Sequence, residues 1–461
     1  MARVIRPKSA AISFVFCILF FLVAAPGVFA QFNSGFTGVV VDQSGSAVPN
    51  AKVTVTNQAT HVSQFSMSTD NGNFRISSLP GGVYTIEVDA TGFKQWIQKD
   101  VQLESNEVKT IHSSLALPTE SASIEVTGTI AAVETDKSDT SREISQASIE
   151  NAPLLGRNIY TSMIELAPGI TGSGLPSGGA LGSGSANNDS FEQEAGYQIN
   201  AAGQRQENNE YDVDGSGTNS ASRDGVVNLS PEPDFIQAVR IAGATFDASK
   251  GRYSGAYVQV FTKPGTNELH GTLSEYHTDN ALTARTIFQS CASGDTSCRA
   301  IPAFRRNEFG GTLGGPIFKN KLFVFGGAFG LLSSNATTEV ATVETPQFVQ
   351  FVQTNFPNNL ANTFFKQAPP AVVPTENILT VAQLEAQNPG FYSSSAFPAN
   401  LPAVGTAVFP ESLTHNAYQW HFRVDYNVNE SKDRIFYDMF RTYSNQLGAD
   451  PRLTSELLTY P

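Results

Sequence analysis

The chain holds 3 cysteines, 6 histidines and 4 methionines in 461 residues, and each scarcity removes a class of chemistry. Cys17 lies in the N-terminal leader described below, which leaves Cys291 and Cys298 in "CASGDTSC". No nearby histidine or second cysteine pair completes a tetrahedral zinc set around them. The pair reads as a disulfide closing a small loop in an exported chain, against a pair of free thiols. His61 and His112 have no acidic residue at metal-ligand spacing and there is no His-x-x-Glu pair, which argues against zinc peptidase activity. Positive charge is also short. The 29 Lys and Arg face 42 Asp and Glu, and losing Arg3, Arg6 and Lys8 with the leader widens the imbalance, which argues against a nucleic-acid partner. Past the leader no run of eighteen apolar residues occurs, so helices do not hold the mature chain in a membrane. Neither G-x-x-x-x-G-K-[ST] nor a strand followed by G-x-G-x-x-G is present.

What is present begins with "MARVIRPKSAAISFVFCILFFLVAAPGVFAQF". A basic start, an apolar stretch from Ala10 to about Val23, and small residues at Val28 and Ala30 make residues 1–30 a secretion signal with a cut before Gln31. The 38 glycines, 32 phenylalanines and 13 tyrosines describe a sheet protein with many tight turns, and the length allows two or three domains. No paired-carboxylate or Ser/His/Asp arrangement at fixed spacing supports an enzyme, and no cofactor is implied.

Residues 36–118 hold short alternating strands, with Ala51, Val53 and Val55 on one face and Tyr84, Ile86 and Val88 on another. Turns fall at Gln43-Ser44-Gly45, Asp70-Asn71-Gly72 and Pro80-Gly81-Gly82. The pattern predicts a small β-sandwich. It resembles the carboxypeptidase regulatory-like, transthyretin-like domain, a folding and docking module.

Residues 119–267 start with the strand "SASIEVTGT", then short helical stretches carrying Ile144, Ile149, Tyr160, Ile164 and Leu166, broken by Pro153 and Pro168. The linker-like "GSGLPSGGALGSGSANN" follows. Asp212-Val213-Asp214-Gly215 is either a polar strand end with its turn or a weak calcium loop lacking the later EF-hand ligands.

From 268 the pattern changes. In "YQWHFRVDYNV", Tyr418, Trp420, Phe422, Val424, Tyr426 and Val428 face one way, while Gln419, His421, Arg423, Asp425 and Asn427 face the other. A following strand, "RIFYDMFRTYS", places Phe436 and Phe440 on the face of Asp438. A soluble sheet and a transmembrane barrel both produce period two. Aromatics recurring opposite a polar or glycine-rich face favour the barrel, which also removes exposed sheet edges. In "RRNEFGGTLGGPIFKNKLFVFGGAFG" the turn Lys319-Asn320-Lys321 joins two strands, whose glycines omit side chains where the wall meets something inside it.

Together these stretches resemble the TonB-dependent outer-membrane receptors, specifically the Oar-like branch with a carboxypeptidase regulatory-like domain ahead of the plug. "LLGRNIY", with Gly156 and Arg157, is similar to the family's plug segment, although Leu155 stands where asparagine is usual. Asp214 and Gly215 match a strand end. Arg252, Gly255, Lys263, Gly265, Thr266 and Asn267 match the stretch that closes the plug and enters the barrel, with Ser249 and Lys250 where an acidic residue is usual. Asn307, Phe309, Gly310, Gly311, Gly314, Gly315 and Pro316 match a barrel hairpin.

The resemblance implies a mainly β chain. It would comprise a transthyretin-like β-sandwich (36–118), an α/β plug domain (119–267) and the first strands of an incomplete transmembrane β-barrel (268–461), because a barrel of the family's size needs a longer chain. The sandwich and plug are then expected in the periplasm, and about 335–416 as an extracellular loop with small inserted elements that contacts an unknown ligand. The resemblance also implies outer-membrane lipid around the barrel and energised transport through the TonB–ExbB–ExbD complex. Ser123, Ile124, Glu125, Val126 and Thr127 are the candidate TonB-contacting segment, against a first plug strand. The alternative reading is a structural or adhesion protein of the outer membrane without active transport.

Overall fold

The computed structural model describes residues 34–117, 124–126, 141–152, 154–163, 169–172, 176–177, 189–191, 195–221, 224–243, 253–283, 303–370, 372–387, 396–428 and 433–447. The leader, Arg252, Cys291 and Cys298 lie outside them. Two compact units divide the chain. The described residues within 1–138, 316–323 and 424–437 form one; those within 139–315, 324–423 and 438–461 form the other.

The sandwich follows from alternation. Ala51, Val53, Val55, Ile86 and Val88 are fully buried and Tyr84 is nearly so, in a core shared with Phe36, Phe74 and Trp96. One sheet contains Ser34–Asp42 between Asn73–Leu79 and Val108–Leu115. The other runs in the order Ser63–Met67, Lys52–Asn57, Gly82–Asp89, Trp96–Leu103, and ends at Ile124–Val126. The Tyr84 hydroxyl donates to the Pro80 carbonyl at 2.7 Å, which satisfies its polar tip at the turn while the ring fills the core.

The plug is built on a five-stranded sheet ordered Ser216–Gly217, Glu210–Val213, Tyr257–Thr262, Ile236–Ala242, Ser141–Ser145. Its core includes Ile144, Ile149, Tyr160, Tyr197, Tyr211 and Val258. The helix Gln146–Asn151 starts at Ser145, whose hydroxyl accepts from the Ser148 N–H. Asp214 and Gly215, both at positive φ, make the turn between Glu210–Val213 and Ser216–Gly217.

The remaining strands form a meander: His270–Asp279, Phe304–Phe318, Leu322–Glu344 and Pro402–Asn427, with Arg434–Leu447 beside the last and Glu376–Thr380 at its start. Burial along Pro402–Asn427 decides between the two kinds of sheet. Gln419, His421, Arg423 and Asp425 are no more than 2% exposed, whereas Tyr418 and Phe422 are each 44% exposed. A soluble sheet buries its aromatic face and wets its polar one. Here the order is inverted, as it is when lipid lies outside and protein inside. The neighbouring strand agrees, with Ile435, Tyr437, Met439 and Tyr443 exposed.

The 335–416 stretch is more regular than expected. The two long strands extend through Glu344 and from Pro402, and three short helices, Pro346–Asn355, Leu360–Gln367 and Val381–Gln387, lie between them. Small polar residues in "SSNATTEVATVE" blur the apolar alternation there, while backbone pairing such as Thr345 N–H to Ala403 O at 2.9 Å carries the ladder on.

The glycine-rich hairpin meets the plug directly. A Cβ on Gly327 would lie 2.7 Å from the ring of Phe235 and 2.6 Å from the Gly311 carbonyl. Phe235, Phe325 and Phe329 form a buried cluster at this contact. Gly327→Val is therefore expected to cost about 1–3 kcal/mol by overpacking and to speed hydrogen exchange in Ile236–Ala242. Unchanged exchange there would mean that the plug does not bear on the wall at this point.

Candidate functional site

Two polar seams join plug and wall, and each begins at a residue that the motif reading singled out. Gly156 and Arg157 both take positive φ, a turn that glycine makes without strain at its first position. The Arg157 guanidinium reaches Glu232 Oε1 at 2.9 Å and Asp234 Oδ2 at 2.5 Å in the plug, and Glu308 Oε1 at 2.5 Å on the wall. Its plane lies 3.6 Å over the ring of Tyr276, a stacking that a planar cation provides and an ammonium does not. Arg306 binds the other oxygen of Glu308 at 2.7 Å and donates to the Gly156 carbonyl at 3.1 Å. Asp189 accepts from Arg306 at 3.5 Å and faces His415 Nδ1 at 3.2 Å.

Glu232 is fully buried, and the Ser190 hydroxyl donates to it. Burial and the neighbouring Glu308 push its carboxyl well above the ordinary range, with Arg157 pulling the other way. Gln419 closes this seam from the wall. Its amide carbonyl accepts from the Glu232 N–H at 2.8 Å, and its NH₂ donates to the Ser190 and Ser230 carbonyls at 3.2 and 3.0 Å.

The second seam is centred on Asp214. Its carboxylate accepts from the Thr262 N–H at 3.1 Å and hydroxyl at 2.5 Å, and pairs with Arg423 Nη1 at 3.0 Å. Arg423 also donates to the Thr262 carbonyl at 3.3 Å. Asp438 acts on Asp214 from the adjacent wall strand and faces His421 Nε2 at 3.7 Å. The His421 ring stacks on Phe440 with centroids 4.1 Å apart. Burial raises the Asp214 carboxyl to about 7; Arg423 and Thr262 oppose the rise and Asp438 adds to it.

Other motif residues have more local partners. Lys263 pairs with Glu150 at 3.2 Å, the Thr266 hydroxyl donates to the Glu268 carbonyl at 2.9 Å, and Asn307 Oδ1 lies 2.6 Å from His277 Nδ1. A Cβ on Gly255 would strike Asn209 Oδ1 at 2.4 Å. Asp212 is engaged by the Tyr257 hydroxyl, so the two carboxylates of the Asp212–Asp214 run serve separate protein partners. Of the segment 123–127, Ile124–Val126 is described. It pairs in parallel with Trp96–Gln98 at the edge of the sandwich sheet. Motif reading did not find Glu232, Asp234, Arg306, Glu308, Gln419 or Arg423. The only signal available for the last two was the polar face of "YQWHFRVDY".

Comparison with known proteins gives the same architecture. Residues 261–460 match the outer membrane beta barrel domain and residues 35–116 the carboxypeptidase regulatory-like domain. The TonB-dependent transporter Oar of Myxococcus xanthus is 28% identical over 315 residues, which is 66% of this chain and 27% of that protein. In its domains and across about two thirds of its length the chain is similar to the Oar-like TonB-dependent outer-membrane receptors. It is thus an outer-membrane protein, and it spans about a quarter of the length of the curated relative it matches. Among solved structures, the ferric enterobactin receptor from Pseudomonas aeruginosa aligns at 15% identity and a TM-score of 0.34, covering 67% of this chain and 33% of that one. The outer membrane transporter YddB from Escherichia coli aligns at 12% identity and 0.36, with the same coverage. Among the described residues of this chain, the two seams hold the plug to the wall by charge.

Proposed function

We propose that the chain takes part in energised uptake across the outer membrane. In this reading the plug blocks the barrel at rest, the TonB–ExbB–ExbD complex pulls on a segment ahead of it, and the segments between Glu344 and Pro402 meet the external ligand. One observation carries the reading: the plug is fastened to the wall by removable polar contacts through Arg157 and Asp214, with a small aromatic cluster between them. Buried ion pairs hold firmly in place and separate into water at little cost once solvent enters, whereas a continuous apolar interface resists separation.

The segment 123–127 is the proposed handle. Its described part is already extended and forms the last strand of its sheet, a form suited to pairing with a partner's strand. A photo-crosslinking residue at Glu125 is expected to capture the purified periplasmic domain of TonB, and Ile124→Pro is expected to abolish capture by removing a backbone donor. Equal capture in both chains, or none in either, would remove this segment as the handle. Intact energy-independent surface contacts with no TonB capture would favour the adhesion reading.

A further inference from the structure

Within the unit that contains the sandwich, a cavity of about 590 Å³ opens between the Lys52–Asn57 and Ser63–Met67 strands and the barrel turn at Lys319–Lys321. Its lining runs against the composition of the chain. The protein carries a net charge of −13, yet Lys52, Lys319, Lys321 and His61 line this space and, among the described residues, no aspartate or glutamate does. Among the described residues none of the three ammonium groups is paired with a carboxylate. Two are instead steadied by rings, Lys52 at 5.0 Å from the Phe65 centroid and Lys321 at 6.0 Å from that of Tyr426. Hydroxyl and amide groups of Ser63, Asn320 and Asn427 complete the wall. Cations collected in a concave space, with neutral donors between them, match a compact oxyanion.

The position narrows the ligand further. At the same turn Ile317 and Phe318 are more than half exposed and Tyr426 is 37% exposed, an apolar and aromatic rim of the kind that marks a barrel's membrane interface. Phosphate groups of lipid lie at that depth. The volume is in the range of small-ligand sites, about 300–1,000 Å³, and accommodates a glycerophosphate head while acyl chains remain outside. We propose that this cavity binds a phosphate ester at the membrane surface, its source being either a phospholipid headgroup or a soluble phosphate.

The test uses the full chain extracted from outer membranes in neutral detergent, with lysine acetylation read by mass spectrometry. Phosphatidylglycerol in the micelles is expected to protect Lys52, Lys319 and Lys321 while leaving Lys366 unchanged, with protection weakening as salt is raised. Lys52→Gln with Lys319→Gln and Lys321→Gln should lower phosphatidylglycerol retention, measured by native mass spectrometry, by about tenfold or more, each lysine supplying a charge-assisted contact. An unchanged melting transition of the sandwich separates this loss from misfolding. Glycerol phosphate protecting as well as the lipid would assign the site to a soluble ester. Protection by neither, or lipid retention unchanged in the triple variant, would overturn the proposal.

Discussion

Arg157→Ala is expected to loosen the plug from the wall by about 3–5 kcal/mol, the cost of removing one partner from a buried ion pair. The loss exceeds that of one contact because Glu232 and Glu308, both fully buried, remain in place. Arg306 still holds Glu308, but the plug loses the cation shared by Glu232 and Asp234. Lysine should not rescue the site, since it cannot reach three carboxylates in one plane while stacking on Tyr276. Chemical denaturation of the full chain, followed by hydrogen exchange in Glu210–Val213 and Tyr257–Thr262, gives the measurement. Adding Glu308→Gln to Arg157→Ala should recover part of the loss, because it removes one stranded charge, and the cycle yields the coupling between plug and wall. A loss below about 0.5 kcal/mol would mean that the seam is solvent-screened and holds nothing.

The second large effect is a pH dependence at Asp214. An aspartate in the unfolded chain titrates near ~3.9, whereas burial raises Asp214 to about 7. Between these values the folded chain keeps a proton that the unfolded chain has released. The contribution is therefore complete below about pH 4 and is lost as pH rises through 7, with a slope of up to about 1.4 kcal/mol per pH unit. The groups facing Asp214 explain the direction. Thr262 on the plug and Arg423 on the wall favour the charge, Asp438 on the next strand opposes it, and His421 lies between that strand and the plug. Plug stability measured from pH 5 to 8 is expected to fall, and Asp214→Asn, which resembles the protonated group, should flatten the profile. A wild-type profile that is flat over this range, and unchanged by Asp214→Asn, would show Asp214 to be held as a carboxylate by Arg423. Arg423→Met tests the same pair from the wall, and should weaken the plug most at high pH, where the carboxylate most needs its cation.

Much of this organisation was legible without coordinates. Period two in "AKVTVT" and "VYTIEV" placed the sandwich core, because a strand facing one apolar layer has little freedom in where its large side chains go. The Lys319-Asn320-Lys321 turn and the Asp214-Gly215 strand end followed from local backbone preference, which a few residues specify by themselves. The resemblance to Oar-like receptors rested on such local features in order, and family comparison bears it out.

The seams were a different matter. Arg157 stood out as a motif residue, but its acceptors Glu232 and Glu308 lie 75 and 151 positions away, and no periodicity links residues so far apart. Asp214 looked like a turn residue or a weak cation ligand until Arg423, 209 positions on, was found against it. The same limit applied to the barrel. Alternation showed that the two faces of "YQWHFRVDY" meet different surroundings, but not which face is buried, since period two is the same with lipid or with water on the aromatic side. Only the packing of Gln419, His421 and Arg423 against the plug, with Tyr418 and Phe422 left outside, decided that. Sequence determined where strands begin and turn, because those choices are local; the tertiary structure decided which side is inside and which charges meet, because both depend on segments brought together from across the chain.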